Sequence, residues 1–365
     1  MNNDQSNGAT SDYAIPDQID DTISQIRWMP NQQTSILATA GWDAKIRVWS
    51  VLSNTSVMNQ VPTTSFQSKL LCQSQFNDPL LSLCWNSDCT MIFTGCADGT
   101  VNYFDANSSQ VGVIGKHEFG CKEIIWISQA SLLMTGGWDG KLNIWDLRQQ
   151  TPCMSIELGK RVYSMSQGGE LLVLGLSDRI VTYFNLSKVF SGYTQPEATF
   201  ESHLKYQTRK VCVFTENDGY AIGSIEGRVA VKFVDLKKNP EINNETKTMN
   251  NPNDFAFRCH RSADGQELYP VHDIAFNPVH GTFCTAGGDG SWIIWDKDSR
   301  SRLKHGFKDR RPPVVAVHYS PLGDILAYAT GYDWSKGVAY EDPNIKPSLN
   351  LHFLPDAEKK KKQKK

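Results

Sequence analysis

Seven similar segments recur along this chain of 365 residues, and the repetition constrains the fold more than any other feature. Each segment has an apolar run, a step of small residues, an acidic turn and a second, alternating run, as in "LLMTGGWDGKLNIWDL" from Leu132. The acidic turn residues are Asp43, Asp98, Asp139, Asp178, Glu226, Asp289 and Asp333. They are 55, 41, 39, 48, 63 and 44 positions apart, so the excess over about 40 residues indicates inserted loops.

The pattern inside one unit predicts a β-hairpin. Two runs with period-two alternation that meet at a tight turn are typical of paired strands. Asp or Glu followed by Gly suits the turn, because Gly tolerates positive φ and Asp bonds to nearby backbone. Five units carry an aromatic residue six positions after the acid, which we expect to pack between neighbouring units: Trp49, Phe104, Trp145, Phe184 and Trp295. Lys232 holds this position in the fifth unit, and His352, in the expected third strand of the seventh unit, takes the corresponding place there.

A short apolar strand precedes every hairpin, for example "LLSLCWNS" from Leu80 and "VHDIAFNP" from Val271. Together these features predict an all-β fold, a seven-bladed WD-repeat β-propeller whose inner strands line a central channel. One four-stranded blade cannot bury both of its faces, whereas a closed ring of blades can.

The propeller is expected to occupy residues 19–355, with the third strand of blade seven at about 348–353. Residues 1–18 would form an N-terminal segment that closes blade seven, using a strand near 12–16. Residues 356–365, which include six lysines between Lys359 and Lys365, are expected to be a basic disordered tail. Such a tail could act in nuclear localisation, in RNA binding or in solubility.

Composition and charge exclude several classes. The formal net charge is −2, and without the terminal lysines it would be near −8, so nucleic-acid binding would require a local basic patch. The nine cysteines are scattered without a Cys-x-x-Cys pair, which predicts no zinc site, no disulfide framework and a reducing compartment. The start of the chain has no secretory leader pattern, and no apolar run reaches the ~20 residues of a membrane span.

The sequence predicts no enzyme, no metal and no cofactor, because it contains no nucleotide-binding loop and no zinc-protease motif. Two histidines each precede a Thr, Asp and Trp of the next hairpin: His117–Thr135–Asp139–Trp145 and His260–Thr285–Asp289–Trp295. We expect two structural hydrogen-bond chains. A catalytic interpretation is disfavoured because the positions recur with the repeat and no nucleophile elbow accompanies them.

Basic and aromatic residues concentrate around the segments "FAFRCHR" from Phe255, expected to enter blade six, and "WDKDSRSRLKHGFKDRR" from Trp295. Such a mixture can bind an acidic peptide or single-stranded nucleic acid, although solvated loop charges around core aromatics are the alternative. Arg228 directly follows the Glu226 turn, where it could pair with a partner's carboxylate or remain an exposed turn charge. "WDLR" from Trp145 to Arg148 matches a short pattern used by some propellers on cullin-ligase adaptors.

Several longer strings resemble one family, the RNA export (Rae/Gle) WD-repeat proteins of the nuclear pore. They are "GYAIGSIEGRVAV", "FRCHRS", "YPVHDIAFNPVHGTF", "WDKDSRSRLK" and "YDWSKG", and the resemblance runs from about Asp20 to Gly337. A sister family, the spindle-checkpoint propeller that partners the Bub kinases, shares "GSIEGRVAV" and "CHR" but does not usually carry "YDWSKG".

The resemblance implies a non-enzymatic mRNA export adapter at the nuclear envelope and pore, shuttling between nucleus and cytoplasm. Its partner would be the GLEBS hairpin, an acidic segment of a phenylalanine-glycine nucleoporin, contacted at one face by Arg228 and Lys297. A groove for single-stranded RNA is expected at Phe257, Arg258, Trp295, Arg300, Arg302 and Lys304. The alternatives are a mitotic-checkpoint scaffold that binds checkpoint kinases and a cullin-ligase substrate receptor that binds its adaptor through Arg148.

Overall fold

Seven four-stranded antiparallel sheets form the protein, as seen in a computed structural model. The structure describes residues 12–31, 33–58, 61–237, 242–243, 248–249, 251–262, 264–306 and 312–362. The sheets are the blades of a seven-bladed β-propeller, and the predicted all-β fold is confirmed. Lys308, Arg310 and Arg311 of the predicted basic cluster lie outside the described residues.

Each blade is an up-and-down meander of four strands. The inner strands are Ile23–Trp28, Leu80–Trp85, Cys121–Ile127, Val162–Gly168, Thr208–Val213, Val271–Phe276 and Val314–Tyr319. The second strands are Ile36–Gly41, Met91–Cys96, Leu132–Gly137, Leu171–Leu176, Gly219–Ser224, Phe283–Gly287 and Ile325–Thr330. The third strands are Lys45–Met58, Thr100–Asp105, Lys141–Trp145, Ile180–Asn185, Arg228–Phe233, Trp292–Asp296 and Ser348–Phe353. The outer strands are Val61–Gln75, Val111–Lys116, Met154–Glu157, Ala198–Glu201, Phe255–Arg258, Ser301–Gly306 and Tyr13–Ala14.

Few elements lie outside the blades. Ile242–Asn243 pairs with Thr248–Met249, within the insertion of blade five. The helices are short: α-helices at Leu186–Phe190 and Asp356–Lys359, and 3₁₀ turns at Ser177–Arg179 and Val338–Tyr340. Among the described residues no helix has the length and apolarity to span a membrane.

The apolar core is divided into seven clusters, and each cluster lies between two neighbouring blades. Leu80 and Phe104 of blade two, for example, pack with Ile46 and Val48 of blade one. The recurring aromatic residues take part as expected, since Trp49, Phe104, Trp145 and Phe184 are buried and Trp295 is half-buried. Burial between blades is therefore what holds the ring together.

A strand from the start of the chain completes blade seven. Tyr13 pairs with Leu351 and Ala14 with Asn350, so the blade joins the two ends of the described chain. At the position that aromatic residues hold elsewhere, His352 Nδ1 lies 2.7 Å from Asp12 Oδ1. Its Nε2 lies 2.9 Å from Glu358 Oε2, which places the ring between two carboxylates. Ring closure thus combines a short strand with a buried charged cluster.

Two sequence-based expectations are wrong. The long interval between Asp43 and Asp98 is not a loop insertion, because blade one instead extends its last two strands, which pair from Lys45–Gln75 to Met58–Val61. The segment from residue 356 is not disordered over residues 356–362. It begins as a helix, and Glu358 forms an ion pair of 2.6 Å with Lys304 of blade six.

The two predicted hydrogen-bond chains are present, and each joins two blades. His117 Nδ1 lies 2.9 Å from Asp139 Oδ2, and its Nε2 lies 2.7 Å from Thr135 Oγ1, which also accepts from Trp145 Nε1 at 2.8 Å. His260, Thr285, Asp289 and Trp295 repeat the arrangement with distances of 2.8 to 3.0 Å. Both threonines are fully buried, so neither hydroxyl can meet a substrate.

Glycine is required beside each of these histidines. A Cβ at Gly137 would lie 2.4 Å from His117 Nδ1, and one at Gly287 would lie 2.1 Å from His260 Nδ1. Both distances are far inside van der Waals contact. The small-residue step in the repeat therefore makes room for the imidazole ring that crosses from the preceding blade.

Replacing Thr135 with valine should lower the free energy of unfolding by about 2–4 kcal/mol, because it leaves His117 and the Trp145 indole without their buried partner. Thr285→Val should cost a similar amount. Thr215→Val, at an exposed threonine, is the control and should change stability by less than about 0.5 kcal/mol. Equilibrium denaturant unfolding measures all three, and an unchanged midpoint for Thr135→Val would contradict the structural role.

The pKa of His352 should lie above its ordinary value. Burial lowers the pKa, but the hydrogen bonds and charges of Asp12 and Glu358 outweigh burial and raise it. A raised folded pKa gives a stabilisation that is complete below the unfolded value of about 6.5 and is lost as pH rises through the folded value. The stability difference between wild type and His352→Gln should therefore shrink from pH 6 to pH 8.

Histidine NMR titration provides an independent measurement. His352 should titrate above the ordinary histidine value, whereas burial lowers the pKa values of His117 and His272, which should titrate below it. Asp12→Asn should move the titration of His352 downward. A His352 midpoint at or below that of His272 would show that the two carboxylates do not hold a protonated ring.

Candidate functional site

A β-bulge recurs near the start of every inner strand. In each blade the register against the second strand shifts by one residue, as between Ile23 and Gln25. A bulge leaves one residue unpaired and redirects its side chain. The bulged residues are Ser24, Leu81, Lys122, Tyr163, Arg209, His272 and Val315. All seven line one cavity of about 560 Å³, which we call the channel mouth.

Aromatic side chains from the acidic turns surround the same cavity. Trp42, Trp138, Tyr332 and Trp334 line the channel mouth, and Trp42 and Trp334 are 43% and 44% exposed. Exposed tryptophan is rare on a soluble surface and is enriched at interfaces. The channel mouth thus lies on the face that carries the acidic turns, called here the turn face.

Charged groups cross-link the blades inside the channel mouth. Lys210 Nζ lies 3.3 Å from Glu123 and 3.5 Å from Asp273, so the ion pairs join blades three, five and six. His272 Nε2 lies 2.8 Å from Asp333 Oδ2. These contacts fix the floor of the channel mouth and leave Arg209 as a largely exposed cation at its rim.

Five of the acidic turn residues share one geometry. The carboxylate accepts a hydrogen bond from the backbone N–H two residues later at 2.9–3.2 Å in Asp43, Asp98, Asp139, Asp289 and Asp333. Asp178 differs, because it lies in a 3₁₀ turn with φ of 58°. Glu226 also differs, since its longer side chain points toward arginines.

Three arginines gather around Glu226 at the edge of the turn face. Arg228 lies directly opposite Arg258 in the adjacent strand, and Arg228 Nε lies 3.6 Å from Glu226 Oε2. Arg261 donates from Nη2 to the Glu226 carbonyl oxygen at 3.3 Å. Arg228 Nε, Arg261 Nε and Glu226 Oε1 are buried atoms with no hydrogen-bond partner among the described residues. We call these three arginines the arginine cluster.

Two predicted groupings need correction. Phe255–Arg258 does not enter blade six but is the outer strand of blade five. Side chains alternate along a strand, so Phe255 and Phe257 are half-buried on one side while Arg258 is exposed on the other, next to Arg228. Arg258 therefore belongs to the arginine cluster and not to the predicted RNA groove.

Lys297 lies far from Arg228. Arg228 begins the third strand of blade five at the turn face, whereas Lys297 follows the end of the third strand of blade six. Equivalent strands run in the same direction around the ring, so about 17 Å of strand separates the two levels. Lys297 is also buried, 2.8 Å from Asp298 and 3.6 Å from Glu216. The predicted pairing of Arg228 and Lys297 at one face is therefore wrong.

Four residues of the predicted groove lie between blades five and six: Phe257, Trp295, Arg300 and Arg302. The rings of Phe257 and Trp295 have centroids 4.5 Å apart. Arg300 lies 4.6 Å above the ring of Phe255, a residue outside the original prediction. Arg302 is exposed opposite Trp295 in the sheet. Lys304 lies opposite Ile294, which packs between blades six and seven, and forms its ion pair with Glu358, so its predicted place in the groove is wrong. Phe255, Phe257, Trp295, Arg300 and Arg302 are called the rim groove.

Arg148, the residue of the alternative cullin-adaptor pattern, is 88% exposed. Its Nε and Nη2 donate to the two carboxylate oxygens of Asp146 at 2.8 and 2.6 Å. The side chain is accessible, and its charge is already paired within the turn.

The aromatic and charged residues of the channel mouth were not predicted from the sequence. Trp42 and Trp138 stand directly before the acidic turn residues, and Trp334 directly after one, so the turn position itself could have indicated exposure. The bulged residues Arg209 and Lys122 gave no such signal, because a one-residue shift in pairing is invisible in an alternating pattern.

A closed ring of WD-type blades with an aromatic channel mouth and basic edges defines a WD-repeat propeller of the binding class. The family model for the WD domain, G-beta repeat, matches residues 16–50, 69–105, 108–146 and 257–296. The chain is 34% identical over 362 residues to the poly(A)+ RNA export protein of Schizosaccharomyces pombe, covering 97% of this chain and 94% of that protein.

Two further relatives match nearly the whole of this chain at similar identity. Protein Rae1 of Drosophila melanogaster is 33% identical over 363 residues, covering 96% of both chains. The mRNA export factor rae-1 of Caenorhabditis elegans is 36% identical over 355 residues, covering 93% of this chain and 87% of that protein. The chain belongs to the Rae1/GLE2 family of mRNA export factors, and the predicted resemblance is confirmed.

Arg228 and Arg258 face each other as like charges, which should cost stability. Cross-strand pairs of like charge are unfavourable by roughly 0.2–1 kcal/mol, so Arg258→Gln should raise the free energy of unfolding by about 0.5 kcal/mol. The gain should disappear in about 1 M salt, where charges are screened within ~3 Å. Denaturant unfolding at two salt concentrations, with Arg258→Lys as the charge-preserving control, tests this. A loss of stability in Arg258→Gln would show that the pair is already compensated.

Proposed function

We propose that this protein is a non-catalytic adapter in mRNA export that binds the acidic GLEBS hairpin of a phenylalanine-glycine nucleoporin at its turn face. The arginine cluster is the observation that carries the proposal. It places buried donor atoms without hydrogen-bond partners among the described residues on the face that also carries the exposed tryptophans of the channel mouth. Buried donors in native proteins are nearly always satisfied, so an external acceptor is expected.

The geometry fits an elongated acidic ligand. Blade five contributes Arg209 at the channel mouth and Arg228 with Arg258 farther out. The three positive charges therefore lie along a line that runs from the central channel to the outer edge of the blade. Carboxylates along a hairpin can pair with these arginines bidentately. Exposed Trp42 and Trp334 offer the apolar anchors that dominate most interfaces. Charged pairs would then give specificity and the association rate, while buried aromatic contacts hold the complex.

A variant that combines Arg228→Ala and Arg258→Ala should bind the hairpin at least 100-fold more weakly. Each lost hydrogen bond to a charged group costs about 1.5–3 kcal/mol. Titration calorimetry with the full chain and a GLEBS peptide measures the change. Arg148→Ala is the control, because it removes one positive charge from a more exposed arginine on a distant turn.

The same variants identify the partner in extracts. Capture of a phenylalanine-glycine nucleoporin by wild type and by Arg148→Ala, but not by the double variant, would support the adapter function. Checkpoint kinases in its place would support the mitotic-checkpoint scaffold, and loss of a cullin-ligase adaptor in Arg148→Ala would support the substrate receptor. If the double variant captures the nucleoporin as well as wild type does, the arginine cluster is not part of the binding site.

We also propose that the rim groove binds single-stranded RNA. It combines closely packed aromatic rings with the exposed guanidinium groups of Arg300 and Arg302, the two elements that sequence-independent binding requires. Together with nucleoporin binding, this activity would place the protein at the nuclear envelope and pore, with exchange between nucleus and cytoplasm.

Arg300→Ala and Phe257→Ala should each weaken binding of a short oligouridine by about tenfold, the scale expected for a lost stacking contact. Fluorescence anisotropy at several salt concentrations measures the affinity, and Arg300→Ala should also reduce the salt dependence. Thermal unfolding checks Phe257→Ala, which lies against the core, while exposed Arg300 needs no such correction. If Arg300→Ala binds the oligouridine with unchanged affinity, the rim groove is not the RNA-binding site.

A further inference from the structure

The C-terminal lysine segment is held on the face opposite the acidic turns. Lys361 Nζ lies 2.9 Å from Glu216 Oε1 and 2.6 Å from Asp298 Oδ2, so it bridges blades five and six. The backbone N–H of Lys362 donates to Asp296 Oδ2 at 3.0 Å. Carboxylates of the propeller thus fix the path of the segment before any ligand binds.

This path ends at a second cavity, of about 330 Å³, which adjoins the rim groove. Phe233, Phe255, Arg300, Lys361 and Lys362 are among the residues that line it. The rings of Phe255 and Phe257 have centroids 6.3 Å apart and are nearly parallel, so the cavity continues the rim groove toward the opposite face.

The charge balance of the cavity favours an anion. Lys361 is paired with carboxylates, but Arg300, Arg302 and Lys362 have no carboxylate partner among the described side chains. Lys362 Nζ instead donates to the backbone oxygen of Arg302 at 3.2 Å, which brings a third cation beside two arginines. Close like charges that are left uncompensated indicate a site for phosphate groups.

Stacking surfaces accompany the cations. The Arg300 guanidinium covers Phe255 at 4.6 Å and is itself exposed, so its outer plane is available to a base. Bases stack on aromatic rings and on guanidinium planes alike. Phosphate contacts would then come from Arg302 and Lys362 at the two edges.

We infer that the docked C-terminal segment completes the RNA site, with Lys361 anchoring the segment and Lys362 contacting a phosphate of the strand that continues from the rim groove. The inference rests on the proposed RNA binding of the rim groove. The ligand is single-stranded RNA without base preference. The site offers aromatic rings and guanidinium planes for stacking and cations for phosphate, and it does not offer, among the described residues, a set of hydrogen-bonding groups that would read base edges. Prior ordering of the segment lowers the entropic cost of binding.

The test compares two lysines of the same segment in the full chain. Lys362→Ala removes the proposed phosphate contact, whereas Lys360→Ala removes the same charge from a residue that pairs with Asp356 of the preceding helix. Anisotropy titrations of labelled oligouridine over a salt series measure affinity and salt dependence. Lys362→Ala should bind roughly threefold to tenfold more weakly, with a log–log salt slope smaller by about 0.7, the amount for one phosphate contact of a single strand.

Lys361→Ala should show a similar loss because it frees the segment, while Lys360→Ala should stay within twofold of wild type. Equal losses in Lys360→Ala and Lys362→Ala would mean that the lysines act only as diffuse charge, and tighter binding in Lys362→Ala would mean that the segment obstructs the site. Either result overturns the inference. An unchanged affinity in Lys362→Ala also overturns it, provided that Arg300→Ala still weakens RNA binding. If neither Lys362→Ala nor Arg300→Ala weakens binding, the proposed RNA binding of the rim groove is itself wrong.

Discussion

Packing between neighbouring blades is the interaction on which the rest of the structure depends. Every apolar cluster draws side chains from two blades, so each sheet buries its faces only when both neighbours are present. Closing the ring satisfies the last pair of faces, through the strand at Tyr13–Ala14. Where the aromatic wedge is missing, charge replaces it: buried Lys232 pairs with Asp254 at 2.9 Å, and His352 lies between two carboxylates.

Small features of strand geometry decide the chemistry of the surfaces. A one-residue bulge turns a single side chain of each inner strand into the channel mouth, and strand alternation separates Arg258 from its neighbour Phe257. Two different surfaces therefore arise from adjacent residues of one strand. The arginine cluster faces acidic ligands at the turn face, and the aromatic rings face the junction between blades five and six.

The sequence predicted the ring, the hairpins and the third strand at 348–353, because each depends on a local pattern that recurs along the chain. It predicted both histidine chains because two units carry His, Thr, Asp and Trp at matching positions. It failed where the cause was not local. The separation of Lys297 from Arg228 follows from the direction of strands in different blades, and the order of residues 356–362 depends on partners such as Glu216, some 145 positions earlier. The bulges could not be predicted, since a shifted register leaves the apolar pattern intact.

Ring closure by the first strand has a consequence for biosynthesis. Tyr13 leaves the ribosome early, yet its partner Leu351 is made 338 residues later, on the order of 20–70 s at ordinary rates of translation. Throughout that interval blade one presents an apolar face that only blade seven can cover. The nascent chain therefore carries an exposed apolar surface on blade one until the last blade is made, and surfaces of this kind are prone to aggregation.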